Sequence, residues 1–167
     1  MTADLHGIRV AVLTLSDSVS GGRAKDISGE VIVNTVSALG AEVVARDVLP
    51  DDQPRIVAKL KSYADEIKAD LVLTTGGSGV APRDVTPEAT LEVVDRLVPG
   101  LVEAARIQTF QKTSMAMLSR STAGIRAQTL IINLPGSPKA VQEWLEILLP
   151  VLRHAVDLLR GTSTSHP

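Results

Sequence analysis

The chain has 167 residues, of which 44% are apolar and 22% are charged, with 17 basic and 19 acidic side chains. This length is typical of one globular domain, and a net charge of -2 gives no long-range attraction to nucleic acid, so we expect no nucleic acid partner. The sequence has no cysteine, which excludes disulfides, thiolate metal sites and cysteine nucleophiles.

Hydrophobic periodicity predicts alternating strands and helices in the first half of the chain. Residues 8–15 form a nearly continuous apolar run, which is typical of a strand covered on both faces. A helical apolar pattern follows at 31–39, with Ser28 as its candidate N-cap and Gly40 directly after its end. The alternation continues with a strand at 42–49, a helix at 56–67 and a strand at 70–75.

The second half of the chain repeats this alternation less regularly. Thr86 and Pro87 predict a helix start, with the threonine as N-cap and the proline at the first helical position. After a helix around 101–108, residues 115–119 are predicted to be extended and 121–124 to form a turn. The last strand is predicted at 129–134 and the last helix at 141–159, interrupted at Pro150 and ended by Gly161.

This order of elements predicts an α/β protein in which a mostly parallel sheet has helices on both faces. The whole chain is predicted to form a single domain, with a disordered tail at 161–167. The chain shows no cysteine, no signal peptide and no apolar run near the ~20 residues of a membrane span, so we expect a cytoplasmic protein without a membrane partner. Ligands of such a sheet bind beyond the carboxyl ends of its strands.

The loop after the third predicted strand is rich in glycine, with Gly76, Gly77 and Gly79 around Ser78. Glycine lets backbone N–H groups turn towards an anion, and Thr74, Thr75 and Ser78 add hydroxyl donors. No lysine follows where a Walker motif would place it. The loop is therefore either a cradle for a phosphate or a pterin-sized polar ligand, or a tight turn that needs positive φ.

Aspartates near the predicted strand ends are candidate magnesium ligands. Mg²⁺ is typically held by one or two carboxylates together with phosphate oxygens of a substrate. Asp84, next to Arg83, could form such a magnesium site together with Asp51 or Asp17. Asp52 is better explained as the N-cap of the following helix. Asp84 could equally cap the next helix or pair with Arg83.

Several short segments of the chain form a recognisable set. They are LTTGGSG at 73–79, PRDVTPEAT at 82–90, LSR at 118–120 and LPGSP at 134–138, supported by SD at 16–17 and DISG at 26–29. The set resembles the molybdopterin adenylyltransferase family, the Mog/MoaB-type proteins of molybdenum cofactor biosynthesis. The segments occur in the same order as in that family. The resemblance covers a core at about 8–160.

The resemblance implies a three-layer α/β/α sandwich that assembles into homotrimers or hexamers, and exposed apolar positions around 98–110 are a candidate interface. It also implies a reaction in which the terminal phosphate of molybdopterin attacks the α-phosphorus of Mg-ATP, giving adenylyl-molybdopterin and pyrophosphate. Such a phosphate is largely anionic at neutral pH, so the reaction needs no histidine base. The product would pass to a molybdate-inserting enzyme.

The resemblance also assigns site residues. Asp51 and Asp84 match the two essential acidic positions of the family and would act in catalysis and hold Mg²⁺. The predicted contacts to molybdopterin and ATP are Ser16, Asp17, Thr74, Thr75, Gly76, Gly77, Ser78, Gly79, Ser119, Pro135, Gly136 and Ser137. A non-catalytic molybdopterin-binding carrier or scaffold of the MoaB type would use the same loops, and ATP binding distinguishes the two hypotheses.

Overall fold

The structure, a computed structural model, describes residues 3–163. Within this range the strands are β1 (Arg9–Leu15), β2 (Glu42–Leu49), β3 (Leu71–Thr75), β4 (Arg96–Leu97), β5 (Ala123–Arg126) and β6 (Thr129–Leu134). The helices are α1 (Asp17–Ser20), α2 (Ile27–Ala38), α3 (Gln53–Lys61), α4 (Thr86–Val93), α5 (Pro99–Phe110) and α6 (Pro138–Arg160). A π-helical turn at Ser62–Glu66 extends α3, and a 3-10 helix at Ser114–Leu118 follows α5.

The strands form one mixed sheet in the order β2-β1-β3-β6-β5-β4. The four strands β2, β1, β3 and β6 are parallel to one another, whereas β5 is antiparallel to β6 and β4 is antiparallel to β5. Since β1 lies between β2 and β3, the direction in which new strands are added reverses at β1. Ligands of open α/β sheets bind at such a reversal, outside the carboxyl ends of the strands.

Helices cover both faces of the sheet. On one face α2, α5 and α6 contribute Ile32, Val102 and Trp144 to a core that includes Val12 of β1. On the other face α3 and α4 pack on the sheet together with Tyr63, which is fully buried. Strands buried on both faces carry continuous apolar runs, which is why β1 and β6 have them. The predicted single-domain α/β/α sandwich is confirmed.

Local signals located several elements correctly. The strand at Glu42–Leu49 has its predicted bounds, and the first strand begins at Arg9, one residue later than predicted. Gly40 follows α2 with a φ of 89°, a conformation that favours glycine. Asp52 is the N-cap of α3, since its Oδ1 accepts a hydrogen bond from the backbone N of Arg55 at 3.2 Å.

Two hydroxyls that were predicted to cap helices do not cap them. The N-cap of α2 is Asp26, whereas Ser28 lies inside the helix and donates to the carbonyl oxygen of Gly136 at 2.7 Å. Likewise Thr86 lies inside α4, after the N-cap Val85, and donates to the carbonyl oxygen of Gly76 at 2.9 Å. Both predictions were wrong because each hydroxyl donates to a loop carbonyl and each residue lies one or more positions after the N-cap.

Three predictions for the second half of the chain were also wrong. Residues 115–119 are mostly a 3-10 helix, because the Thr113 hydroxyl accepts a hydrogen bond from the backbone N of Met115 at 3.3 Å and begins the turn. The segment 121–124 leads into β5 instead of a turn. Pro150 does not interrupt α6, whose buried face continues on both sides of it with Leu148, Leu152 and Val156.

The last helix ends at Gly161, which has a φ of 72°. The backbone N–H groups of Thr162 and Ser163 donate to the carbonyl oxygen of Asp157 at 3.0 and 3.3 Å. The rest of the predicted disordered tail, 164–167, lies outside the described residues. Although α6 has 23 residues, neither it nor any other helix within 3–163 has both the length and the apolar composition for a membrane span.

Candidate functional site

The loops that follow β1, β2, β3 and β6 meet at one edge of the sheet. The Thr75 hydroxyl donates to the carbonyl oxygen of Pro135 at 2.6 Å, which joins the loops after β3 and β6. The backbone N of Ser16 donates to the carbonyl oxygen of Leu49 at 2.9 Å, which joins the end of β1 to the end of β2. Arg83, in the loop after β3, binds Asp17, which follows β1, so the four loops form one connected surface where the strand order predicts a ligand site.

Gly76 and Gly77 bring this surface together because neither carries a side chain. Their φ angles are 93° and 65°, which L residues with a Cβ rarely adopt. A Cβ on Gly76 would collide with the carbonyl oxygen of Leu15, and one on Gly77 would collide with the Thr86 hydroxyl. The glycines thus form the tight turn that the sequence left open.

Two cavities open on either side of the loops that contain Gly76 and Gly136. The first cavity has a volume of about 300 Å³ and is lined by Thr14, Leu15, Ser16, Val19, Lys25, Asp26, Ile27, Ser28, Thr75, Gly76, Gly136 and Pro138. The second cavity has a volume of about 320 Å³ and is lined by Ser78, Gly79, Thr109, Thr113, Met115, Ala116, Leu118, Ser119, Pro135, Gly136, Ser137, Ala140, Glu143 and Trp144. The two cavities share Gly136, so only loop backbone separates them at that point.

Most of the predicted contact residues lie on these cavities. Ser16, Thr75 and Gly76 line the first cavity, and Gly136 lines both. The predicted residues on the second cavity are Ser78, Gly79, Ser119, Pro135 and Ser137. The structure does not bring Thr74 to either cavity, because this residue is fully buried and its hydroxyl accepts a hydrogen bond from Asn133 Nδ2 at 3.1 Å.

Asp17 and Asp51 lie side by side next to Gly77. The backbone N of Asp51 donates to Asp17 Oδ1 at 3.0 Å, and the backbone N of Asp17 donates to Asp51 Oδ2 at 3.1 Å. Arg83 binds Asp17 with two nitrogens, at 2.5 and 3.0 Å, and donates to the carbonyl oxygen of Asp51 at 3.0 Å. The hydrogen bonds from Arg83 lower the pKa of Asp17 to about 2. Asp17, a predicted substrate contact, is therefore engaged in holding the loops.

The second oxygen of Asp51 has no such partner. Within residues 3–163, Asp51 Oδ1 is buried and accepts no hydrogen bond, and it would lie 2.9 Å from a Cβ on Gly77. Burial raises the pKa of Asp51, and the charges of Asp17 and Asp84 raise it further. A buried carboxylate oxygen without a partner is unfavourable until it binds a proton or a cation. This oxygen therefore fits a metal ligand.

Asp84 supplies a second carboxylate. Its Oδ2 accepts a hydrogen bond from the backbone N of Ala81 at 3.0 Å and would lie 3.0 Å from a Cβ on Gly79. It neither caps α4, which begins after Val85, nor pairs with Arg83, which binds Asp17 instead. Both alternatives left open by the sequence are thereby removed, and the Asp84 carboxylate is free to act in the site.

The residues present fit magnesium better than a metal with an all-protein ligand set. Residues 3–163 contain no group of three or more His, Cys, Asp or Glu side chains that would hold a metal ion. Mg²⁺ keeps several waters and is usually bound by one or two carboxylates plus substrate phosphates. Asp51 and Asp84 offer carboxylates of that kind, close enough for the Asp84 charge to raise the pKa of Asp51.

Sequence reasoning missed the basic residue at the first cavity. Lys25 lines this cavity beside Asp26, and in the described part of the chain its ammonium forms no ion pair. An unpaired cation at a cavity mouth attracts anionic ligands. The signal was present in the sequence, since Arg23 and Lys25 are two basic residues in the loop that opens α2.

Comparison with known proteins places these features in a family. A family model described as "Probable molybdopterin binding domain" matches residues 11–154. The molybdopterin adenylyltransferase of Helicobacter pylori is 41% identical over 159 residues, which are 94% of this chain and 90% of that protein. The molybdopterin adenylyltransferase of Escherichia coli is 41% identical over 145 residues, which are 85% and 74% of the two chains.

A solved structure of a similar protein has the same fold. The molybdopterin biosynthesis enzyme MoaB of Thermus thermophilus superposes with a TM-score of 0.87 at 49% sequence identity. The match covers 92% of this chain and 97% of that chain. The resemblance in sequence is therefore accompanied by a shared overall fold.

Proposed function

Since the chain belongs to the family of molybdopterin-binding domains, we propose that it is a molybdopterin adenylyltransferase of molybdenum cofactor biosynthesis. A phosphate oxygen of molybdopterin forms a bond to the α-phosphorus of ATP. The bond from that phosphorus to the bridging oxygen breaks, and pyrophosphate leaves with the electron pair. The observation that supports this most is the buried, unpartnered Oδ1 of Asp51 near Asp84, at the edge of the sheet where the two cavities open.

We propose that Asp51 and Asp84 hold Mg²⁺ in this reaction. When bound, the ion neutralises phosphate charge in the substrates. Asp51 offers Oδ1, while its Oδ2 is fixed by the backbone N of Asp17. Asp84 offers Oδ1, while its Oδ2 is fixed by the backbone N of Ala81. Each carboxylate thus has one oxygen that orients it and one that is available.

The two cavities give each substrate its own place. We assign one ring system, pterin or adenine, to each cavity, so that the phosphates meet near Gly76 and Gly136. Neither glycine has a Cβ, so the phosphate chains can approach the backbone closely. Lys25 lies at the first cavity and would neutralise one of these phosphate groups. Positioning and charge neutralisation are the main contributions a protein makes to such transfers.

An exposed apolar face supports the proposal of a homotrimer. Ile107, Phe110 and Met117 are 66%, 46% and 67% exposed, and they line a cavity of about 230 Å³ between α5 and the 3-10 helix. Contiguous exposed apolar surface of this kind marks protein–protein contact. The face includes the end of the segment 98–110 that the sequence marked as an interface. A hexamer would require a second contact between trimers.

We further propose that the protein acts in the cytoplasm, where ATP is available, and that its product passes to a molybdate-inserting enzyme. The product contains a phosphoric anhydride between two phosphate groups. Such a bond is reactive towards water and keeps the free energy of the ATP bond that was broken. A following enzyme that cleaves this anhydride would use that free energy for its own step.

The proposed activity is tested by incubating the purified protein with molybdopterin, ATP and Mg²⁺. We expect adenylyl-molybdopterin and pyrophosphate to appear in equal amounts, and chelation of Mg²⁺ to stop both. A protein that binds molybdopterin tightly but neither binds ATP nor releases pyrophosphate would be the carrier or scaffold instead. Binding of neither compound would contradict both functions.

A further inference from the structure

Arg120 reaches from the segment after the 3-10 helix into the loop that carries Asp84. Its backbone N donates to the carbonyl oxygen of Ser78 at 2.7 Å. Its side chain donates from Nε to the carbonyl oxygen of Gly79 at 2.6 Å and from Nη2 to that of Asp84 at 2.7 Å. Its Nη1 pairs with the carboxylate of Glu88 in the first turn of α4. One side chain therefore binds both ends of the loop 79–84.

The engagement of this guanidinium argues against a role in binding phosphate. An arginine close to phosphate-binding loops usually presents its planar fork to the phosphate oxygens. In Arg120 each of the three nitrogens already has a protein acceptor, and the acceptor on Nη1 is a carboxylate, which also competes with an incoming anion. The geometry is that of a clamp on the loop.

The loop needs an attachment of this kind because, apart from Arg83, which binds Asp17 and the carbonyl oxygen of Asp51, little else holds it. The loop 79–84 contains neither helix nor strand, and Val80 at its tip is 64% exposed. Its internal bonds join Ala81 and Asp84 only to each other, at 2.9 and 3.0 Å. Segments with few buried contacts open locally at low free energy. The bonds from Arg120 to Gly79 and Asp84 tie the loop to the body of the protein.

The segment that carries Arg120 is itself anchored. Arg106 of α5 donates from Nη1 to the carbonyl oxygens of Ser119 and Ser121, at 3.3 and 2.9 Å. These two residues flank Arg120 on either side. The guanidinium of Arg120 therefore extends from a backbone that is itself held in place. For this reason the side chain can hold the loop at a defined position.

We propose that Arg120 is a positioning residue: it sets the place of Asp84 relative to Asp51 and does not touch substrate. The inference rests on the proposed function, because the reaction it serves is the adenylyl transfer described above. Its structural part, the attachment of the loop 79–84, holds for the protein without any substrate and can be tested separately.

The first test measures backbone amide hydrogen exchange in the loop by mass spectrometry, on the protein alone. Arg120→Gln should accelerate exchange in peptides that cover 79–86 and leave β1 and β6 unchanged. Arg126→Gln is the matched control, because Arg126 also binds a carboxylate, that of Asp65 at 3.0 and 2.8 Å, and the carbonyl oxygen of Val93 at 2.9 Å. Wild-type exchange of the loop in Arg120→Gln would overturn the proposal.

The second test separates positioning from substrate binding by steady-state kinetics. A misplacement of about 1 Å can lower the rate about 100-fold, so kcat of Arg120→Gln should fall by roughly 10- to 100-fold with little change in the KM for ATP or molybdopterin. Arg120→Lys should recover only part of kcat, because one ammonium cannot reach the separate acceptors. Arg126→Gln should keep the wild-type kcat.

The outcomes distinguish the two proposals. A raised KM for either substrate with unchanged kcat in Arg120→Gln would mean that Arg120 binds substrate, which overturns the positioning role. A wild-type protein without turnover would overturn the proposed function, and hydrogen exchange would still decide whether Arg120 holds the loop. Faster exchange in the loop together with unchanged kcat would show that the attachment does not position Asp84 for the reaction, which also overturns the inference.

Discussion

Asp17 and Asp51 exchange hydrogen bonds, each donating its backbone N–H to the carboxylate of the other, at 3.1 and 3.0 Å. The pair joins the loop after β1 to the loop after β2. It also gives the two carboxylates different roles, because Asp17 is bound by Arg83 whereas Asp51 keeps Oδ1 without a partner in the described chain.

Replacement of Asp51 by Asn should abolish the Mg²⁺-dependent reaction while the protein stays folded. Loss of one preorganised electrostatic contact typically lowers kcat by about 100- to 1000-fold. Burial raises the pKa of Asp51, so its ionised form is destabilised in the fold, and a neutral side chain should not lower the Tm. Mg²⁺ should raise the Tm of the wild type but not that of Asp51→Asn.

Asp52→Asn is the control for this variant. It removes a carboxylate from the neighbouring position, and asparagine caps a helix as well as aspartate does. We expect its kcat and its response to Mg²⁺ to match the wild type. Equal loss of activity in Asp51→Asn and Asp52→Asn would show that general negative charge, and not a ligand at position 51, supports the reaction.

The Asp17–Arg83 pair should stabilise the protein in a defined pH range. The pKa of Asp17 is lowered from 3.8 to about 2, so its contribution is present above the ordinary value and is lost as the pH falls through about 2. Urea unfolding of wild type and Arg83→Met should therefore differ at neutral pH and converge as the pH falls from about 4 to about 2. Arg55→Met, at an exposed arginine of α3, should show no such convergence.

Gly76→Ala should destabilise the protein strongly. The residue has a φ of 93°, and an added Cβ would meet the carbonyl oxygen of Leu15. Alanine in this left-handed backbone conformation is strained, and its Cβ collides with the oxygen. Together the two effects should lower the free energy of unfolding by about 2 kcal/mol or more, measured by urea unfolding. Gly100→Ala in α5 has no atom within 4 Å of the added Cβ and should be neutral or stabilising by up to about 1 kcal/mol.

Lys25→Gln should weaken binding of the substrate whose phosphates lie at the first cavity. The loss of one unpaired cation should raise the KM of that substrate, with a smaller effect at high salt because charge attraction is then screened. Titration of ATP and molybdopterin separately would identify the substrate in this cavity. Lys61→Gln, a change of charge on α3, should leave both KM values unchanged.

Ile107→Glu should convert the proposed homotrimer to monomers, because a charge in an apolar contact is desolvated without a partner. Analytical ultracentrifugation measures this directly. Leu91→Glu is the control, since Leu91 is 51% exposed on α4, in the opposite helical layer. A wild-type protein that sediments as a monomer would contradict the proposed interface.

The alternation of strands and helices was predictable because it depends on local periodicity. The apolar run that became β1 and the exact bounds of β2 needed no knowledge of the rest of the chain. The candidate site was predictable in part for the same reason, since the carboxyl ends of parallel strands always share an edge. Gly76 was found in this way, whereas Gly136 was assigned by the resemblance to the family.

Contacts between distant parts of the chain were not predictable from the sequence. Ser28 is a residue type that commonly caps helices, and only the folded chain shows that its hydroxyl binds the carbonyl oxygen of Gly136, 108 residues away. The pairing of Arg83 with Asp17, 66 residues away, is of the same kind. Each of these depends on the relative position of two loops, which no local pattern encodes.

The shared wall between the two cavities has a consequence for inhibitor design. At Gly136, which lines both cavities, the wall carries no side chain, and an added Cβ would lie only 3.5 Å from the Cα of Gly76. A single molecule with one ring for each cavity would therefore need only a short linker to cross it. Because the second ring would then bind from a high effective concentration, such a compound should bind far more tightly than either half.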